Sequence, residues 1–304
     1  MTNPNQINAH TEFHKQEMPT PGYVDNESIP DTIDRKVERK QSSQMDDLED
    51  YETFINTHSD ELAKLNSKQE IADYLYTYYC ENKQQNEIRV SDIYYTGESS
   101  EAHYNAAKKL AEFGVKSLDS NSWNVLQSGE IDHDKLGRLY INLKNENLIS
   151  SFYQIATKLA KNGTQFQMKF PKKMDSGDHD RSDKTVLYFN NESADEVMRI
   201  LTDYVEENPD KMNTNTPRFT KKLTNAEGEI LPGIAFAENP AGRRGSFNDQ
   251  IAEVLADTYM SSNKNGKIDI NDENFYLNFS KFCDERGIDI SHMYKNKNSN
   301  FPNI

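Results

Sequence analysis

This chain of 304 residues has no long apolar run, only two cysteines and no excess of positive charge. No apolar run approaches the roughly 18 residues that a membrane-spanning helix needs, so we expect no membrane interaction. The N-terminus lacks the apolar core of a secretory signal peptide, so we expect no Sec export. The two cysteines, Cys80 and Cys283, lie far apart in the sequence. A disulfide framework is therefore not expected, and a reducing compartment fits the chain.

Positive charge is in the minority, with 35 Lys and Arg residues against 50 Asp and Glu residues and a net charge of -15. Nucleic-acid surfaces depend on clustered cations, so we expect no nucleic-acid partner. Net charge does not describe a single pocket, and a local basic site stays compatible with it. The seven histidines show no HExxH spacing and the cysteines no CxxC pair, so the sequence predicts no metal and no cofactor.

Residues 1–45 combine four prolines with Asn, Gln, Thr and Glu, and they show no apolar periodicity. Such a composition cannot bury a core, which predicts a disordered N-terminal segment. From the residues alone, a plain disordered tail and an export signal are both compatible with this pattern.

Residues 46–130 predict a helical N-terminal part of the globular region. Ser67 followed by Glu70 is typical of a capping box, and it opens an amphipathic stripe from Ile71 to Tyr79. We interpret the tyrosines of this stripe as core packing rather than as a stacking platform for a ligand. A second helix is predicted over Glu101–Phe113.

Residues 131–260 alternate strand and helix patterns, and residues 261–304 predict a C-terminal helical extension after Asn271. The strands are predicted at residues 138–143, 166–170, 185–189 and 233–237, and the helices at 148–161, 193–204 and 246–260, with a long loop near 206–230. This irregular order favours an α+β fold, with a mixed, mainly antiparallel sheet and packed helices.

An ordered set of short segments between Arg138 and Tyr259 resembles the HopA-type family of bacterial type III secreted effectors. The tyrosine-rich helix at residues 74–79 and the later Trp123 are also similar to that family. The segments stand here as Arg138-Leu-Tyr-Ile-Asn142, Phe166-Gln-Met-Lys169, Asp180-Arg-Ser-Asp183, Thr185-Val-Leu-Tyr188, Phe219-Thr-Lys221, Pro232-Gly-Ile-Ala-Phe-Ala-Glu238 and Gly245-Ser-Phe247. The resemblance covers about residues 70–260, and two departures are Asn248, where the family usually has Gly, and the pair Arg243-Arg244.

The resemblance implies a protein that leaves the bacterial cytoplasm through a type III system and enters the host cell. It also implies a secretion chaperone bound to the N-terminal segment. Related domains in peptide natural-product pathways, beside a kinase-like partner, are implicated in removing phosphate from phosphoserine or phosphothreonine by β-elimination. The implied partner is thus a phosphorylated peptide or a host protein. The alternative is a non-enzymatic effector that only binds a host protein.

β-Elimination requires a base for the Cα proton and cations for the phosphate. Lys169 lies on an alternating strand, on the face opposite Phe166, Met168 and Phe170, and matches the family pattern, so it is the candidate catalytic base. The alternative is a solvated lysine on a half-exposed sheet.

Three cations are the candidate phosphate ligands, because guanidinium and ammonium groups bind phosphate well. They are Arg181, Lys221 and Arg218; Arg181 can alternatively pair with Asp180 or Asp183, and the other two lie in the predicted long loop. Glu238 and Ser246 are candidate supporting residues, Glu238 through hydrogen bonds and Ser246 as the N-cap of a helix. We expect Lys169, Arg181 and Lys221 to converge on one pocket.

Overall fold

The computed structural model describes residues 43–80, 97–132, 136–172, 181–242, 245–299 and 301. Contacts between Cα atoms divide the chain into two units, 1–42 and 43–304. The predictions for the N-terminal segment, and for Arg243-Arg244, lie outside the described residues. Everything below concerns the second unit.

The described part of the second unit contains eight α-helices and seven strands. The helices are α1 (Ser43–Thr57), α2 (Ser59–Leu62), α3 (Lys68–Cys80), α4 (Gly97–Ala111), α5 (Leu148–Lys161), α6 (Ala194–Glu207), α7 (Phe247–Ser262) and α8 (Glu273–Glu285). The strands are β1 (Lys116–Leu118), β2 (Trp123–Ser128), β3 (Leu136–Ile141), β4 (Phe166–Pro171), β5 (Thr185–Asn190), β6 (Lys221–Thr224) and β7 (Ile230–Glu238).

All seven strands form one sheet in the order β1-β2-β4-β5-β3-β7-β6, and every described pairing is antiparallel. The predicted α+β fold is confirmed. The strongly patterned elements lie where the sequence predicted them. Helix α5 follows its apolar stripe, and β4 alternates buried and half-buried residues.

The register defines two faces of the sheet, because residues directly opposite each other on paired strands point to the same side. The α5 face carries the row Leu126, Met168, Leu187, Leu139, Phe236 and Lys221. The α7 face carries the row Val125, Lys169, Val186, Tyr140, Ala235 and Lys222.

Each face packs on its own set of helices. On the α5 face, Leu139, Met168 and Phe236 join a core cluster with residues of α5 and α6. On the α7 face, Tyr140 and Val186 join a second cluster with residues of α1, α3, α7 and α8. The sheet therefore separates two cores, and a site on one face is shielded from the other.

Three strands differ from the sequence-based predictions. Strands β1 and β2 lie within the segment predicted to be helical, and β6 lies inside the predicted long loop. The first described helix begins at Ser43 rather than near residue 46. The predicted capping box is confirmed, since the Ser67 Oγ accepts from the Glu70 N–H at 3.2 Å and the Glu70 carboxylate accepts from the Ser67 N–H at 3.0 Å.

None of the described helices is both long enough and apolar enough to cross a lipid bilayer.

Candidate functional site

The Lys169 amine lies on the α7 face between two aromatic rings. Its Nζ is 4.3 Å from the centre of the Trp123 ring and 5.4 Å from the centre of the Tyr188 ring. Among the described residues, no carboxylate lies within ion-pair distance of this amine. The lysine is therefore held by aromatic contacts and not by a salt bridge.

A buried arginine lies beneath the same aromatic surface. Arg138 is only 3% exposed, and its guanidinium carbon is 5.2 Å from the centre of the Tyr188 ring. It donates to the Tyr140 hydroxyl at 3.3 Å and to the side chain of Asn239. Burial raises the pKa of Tyr140 above its ordinary value, and so keeps its hydroxyl protonated. Tyr140 in turn donates to the side-chain amide oxygen of Asn248.

Asp183 joins this buried group to Arg181. Its carboxylate accepts from the Asn248 amide at 2.8 Å and from the Arg181 Nε and Nη2 atoms, each at 2.9 Å. Arg181 also donates to the Tyr76 hydroxyl of α3 at 3.0 Å. The paired geometry is the bidentate fork that arginine forms with carboxylates and phosphates.

Arg181 pairs locally with Asp183, which was the alternative interpretation of the sequence. Its side chain nevertheless remains partly exposed to solvent. Its side chain is 28% exposed, whereas that of Asp183 is 5% exposed. Arg181 lies just before β5, and Lys169 lies opposite Val186 near the start of β5. The fold therefore brings Lys169 and Arg181 to the same face and the same end of the sheet. We call these two cations, with Trp123, Tyr188 and the Arg138–Tyr140–Asn248–Asp183 chain, the candidate site.

Lys221 does not share this site. It belongs to the α5 face, where its Nζ is 5.8 Å from the centre of the Tyr294 ring. Four strand spacings of about 4.8 Å separate β6 from β4, or roughly 19 Å, and the sheet itself lies between the two lysines. The expectation that Lys169, Arg181 and Lys221 converge on one pocket is therefore wrong for Lys221. Burial and the neighbouring Lys295 lower the pKa of Lys221.

Arg218 lies beside helix α1 rather than in the candidate site. Its guanidinium is 3.5 Å from the carboxylate of Asp50. The neighbouring Asp47 accepts from the backbone N–H of Phe219 at 2.7 Å. Arg218 thus joins the segment before β6 to the first described helix, and β4, which carries Lys169, is several strands away from β6.

Glu238 was expected to support the pocket around Lys169, but it contacts the C-terminal segment instead. It is 4% exposed and accepts from the Asn296 N–H at 2.9 Å and from the Ser299 hydroxyl. Its own N–H donates to the Tyr294 carbonyl at 2.8 Å. Glu238 therefore anchors residues 294–299 at the end of β7, which is the hydrogen-bonding role proposed for it, on the face away from Lys169.

Ser246 is the N-cap of α7, as predicted. Its Oγ accepts from the Asp249 N–H at 3.1 Å, and its own N–H donates to the Asp249 carboxylate at 2.7 Å. The adjoining groove between α3 and α7 is lined by Asp73, Asp249 and Glu253. These carboxylates disfavour an anion there, so this helix start is a poor phosphate site.

Several residues of the candidate site were not singled out from the sequence. Arg138, Tyr140 and Tyr188 entered only as members of the family pattern, and Asn248 only as a departure from it. The spacing of Arg138 and Tyr140 could have indicated their contact, because residues two apart on a strand lie on the same face. The pairing of Asp183 with Asn248 had no local signal.

The described residues contain no group of three or more His, Cys, Asp or Glu side chains that could hold a metal ion. The chemistry available at the candidate site is thus that of an amine, guanidinium groups, a buried carboxylate and phenols.

Comparison with known proteins places this fold. A structure of the effector protein from Pseudomonas syringae pv. tomato strain DC3000 is similar at a TM-score of 0.56 and 16% identity, covering 84% of this chain and 99% of that one. The structure of the effector protein from Pseudomonas syringae pv. syringae strain 61 is similar at a TM-score of 0.56 and 14% identity, covering 84% of this chain and 98% of that one.

A search of curated proteins found no match. The profile of the HopA1 effector protein family matches residues 124–295, more than half of the chain, and this range includes Lys169, Arg181 and Tyr188. The chain belongs to the HopA1 effector protein family.

Proposed function

We propose that this chain is a type III secreted effector that removes phosphate from phosphothreonine or phosphoserine by β-elimination, acting in the host cell after export from the bacterial cytoplasm. The observation that carries the proposal is the shared position of Lys169 and Arg181 on one face and at one end of the sheet. Among the described residues, the Lys169 amine has no carboxylate partner, and the Arg181 guanidinium is partly exposed. These are the two groups that the elimination needs first, a base and a phosphate ligand.

The reaction assigns a role to each group. The unprotonated Lys169 amine takes the Cα proton of the phosphorylated residue. The released electron pair forms the Cα–Cβ double bond as the Cβ–O bond breaks, and phosphate leaves with that oxygen. Arg181 neutralises the charge that develops on the leaving group. Overall the Cα proton ends on phosphate, so the products are a dehydroamino acid and hydrogen phosphate, and no water is consumed.

Arg138 and Asp183 support this chemistry without touching the substrate. Asp183 fixes the orientation of Arg181 through two parallel hydrogen bonds, and Asn248 fixes Asp183. Arg138 adds positive charge beneath the site, where burial reduces screening by solvent. Lys221, Arg218 and Glu238 lie outside the candidate site and take no part in the proposed reaction.

A test of the proposal uses phosphothreonine peptides in water enriched in heavy oxygen. Elimination breaks the C–O bond, so the phosphate carries no label and the peptide gains a double bond. A phosphatase would instead place one labelled oxygen in the phosphate. Labelled phosphate with an intact threonine, or peptides that stay phosphorylated throughout, would refute the lyase.

The Lys169→Ala variant separates the base from the binding site. We expect it to lose elimination while keeping phosphopeptide affinity, because the base acts mainly in the transition state. Arg181→Ala should weaken binding as well, by about 2–3 kcal/mol for a lost charge-assisted pair. Lys172→Ala is the matched control, since this exposed lysine follows the same strand and pairs only loosely with Asp119 at 3.9 Å. Full turnover by Lys169→Ala would exclude Lys169 as the base.

A second candidate function is an effector that binds a host protein without catalysis, which the net charge of -15 and the acidic groove between α3 and α7 favour. It predicts that a folded Lys169→Ala variant keeps its activity in host cells. It also predicts that charge reversal at Asp73 and Glu253 abolishes that activity.

A further inference from the structure

The aromatic residues around Lys169 stand at related positions in the sheet register. Trp123 on β2 pairs with Pro171, two residues after Lys169. Tyr188 on β5 pairs with Gln167, two residues before Lys169. Lys169 therefore has one aromatic diagonal neighbour on each adjoining strand, and diagonal neighbours lie within reach of aromatic and long side chains.

We infer that Trp123 and Tyr188 are positioning residues that hold the Lys169 amine over the sheet in the place from which it takes the substrate proton. This inference rests on the proposed function. The two rings approach the amine from opposite neighbouring strands, at 4.3 Å and 5.4 Å from their centres. A flexible four-carbon side chain is thereby confined from two sides, and less conformational freedom is lost when the substrate binds.

The position of the Tyr188 ring is itself fixed by the buried Arg138. Arg138 approaches its face at 5.2 Å, and Arg138 is held by the Tyr140 hydroxyl and by Asn239. Tyr188 is 9% exposed, so its ring has little room to turn. The buried polar chain thus supports the lysine through the tyrosine, which gives Arg138 a structural purpose in the site.

Holding a base by rings has a chemical advantage over holding it by an ion pair. A carboxylate close to an ammonium group strongly favours the protonated state and would oppose proton abstraction. A cation–π contact at a partly exposed site contributes only about two- to fivefold to an equilibrium constant. The rings can therefore hold the amine in place without the strong bias that a carboxylate partner would add.

The experiment compares Trp123→Leu with Trp123→Phe in the full chain, with Tyr104→Leu as a control for an exposed aromatic residue on α4. The first readout is independent of activity. In NMR spectra the protons next to the Lys169 amine should be displaced upfield by the rings relative to those of Lys172. The displacement should shrink in Trp123→Leu and persist in Trp123→Phe.

The second readout is turnover of a phosphothreonine peptide. We expect Trp123→Leu to lower kcat about two- to fivefold with KM unchanged, and Trp123→Phe to restore it. No displacement in the wild-type spectrum, or an unchanged kcat in a Trp123→Leu variant that has lost the displacement, overturns the inference. A wild-type chain that shows the displacement but never eliminates phosphate defeats the proposed function instead, and with it the catalytic purpose of the rings.

Discussion

At the residue scale, Asp183 is the centre of the buried polar chain. It is 4% exposed and accepts two hydrogen bonds from Arg181 and one from Asn248. Removing its charge leaves Arg181 without its bidentate partner, so Asp183→Asn should lower the free energy of unfolding by about 2–3 kcal/mol. Urea denaturation measures this. Asp203→Asn, which removes an exposed partner of Arg199, should cost less than about 1 kcal/mol. Equal losses in the two variants would contradict the role given to Asp183.

A second residue makes the stability depend on pH. Burial raises the pKa of Asp47 from 3.8 to about 6, although the Phe219 N–H and Arg218 act in the opposite direction. Between these two values the folded state binds a proton that the unfolded state lacks, so the contribution of Asp47 to stability decreases as pH rises through the window. Asp47→Asn keeps an acceptor oxygen and should remove this slope.

Unfolding free energies measured across that pH window for wild type and Asp47→Asn test the effect. Asp46→Asn is the control, because Asp46 is exposed and one residue away on the same helix. If wild type and Asp47→Asn keep parallel pH profiles, Asp47 does not titrate in the folded chain as described.

At the scale of elements, the start of β7 depends on one glycine. Gly233 has a φ of 67°, and a Cβ atom there would lie 2.3 Å from the Asn213 carbonyl oxygen. Asn213 and Gly233 both bond to the backbone of Asn142, so this close approach joins three segments. Gly233→Ala should therefore shift the backbone and destabilise the fold by several kcal/mol.

The matched control is Gly228→Ala in the turn between β6 and β7. Gly228 has a φ of 83° but no neighbour within 4 Å of an added Cβ. Gly228→Ala should lower the free energy of unfolding by only about 1 kcal/mol, the cost of the left-handed backbone conformation for alanine. Thermal unfolding of both variants separates the collision from the backbone strain, and similar losses would show that the contact with Asn213 can relax.

The elements that the sequence predicted correctly carry strong periodic patterns. Helix α5 shows a full apolar stripe, and β5 is buried along its whole length. Of the three strands that were missed, β1 and β6 are short and polar. All three residues of β1 are exposed, and β6 buries only Leu223 of its four residues. Edge strands of this kind gain their order from the neighbouring strand, so their own side chains leave no pattern to detect.

At the scale of the whole molecule, α1 connects distant parts of the chain. Leu48, Tyr51 and Ile55 are buried in the core of the α7 face, and the Tyr51 hydroxyl donates to the Leu255 carbonyl at 2.8 Å. A chain starting at Ser43 should keep the stability of the full chain, since the composition of residues 1–42 cannot supply a core.

A chain starting at Lys68 should lose roughly 5 kcal/mol or more, because three large apolar side chains leave the core. Urea midpoints of the full chain and both truncations measure the difference. The same unfolding free energy in both truncations would mean that α1 does not contribute to the core. Export assays address the other expected role of residues 1–42, as the signal and chaperone-binding segment.

The sequence by itself determined the fold class, the strongest helices and strands, and the face of β4 on which Lys169 lies. These follow from local periodicity, which depends only on the order of polar and apolar residues. The tertiary structure alone decided which cations share a site. Strand register put Lys221 on the opposite face and Trp123 and Tyr188 on either side of Lys169, because one residue of register turns a side chain to the other face. Register is set by pairing between segments far apart in the chain, and no local pattern records it.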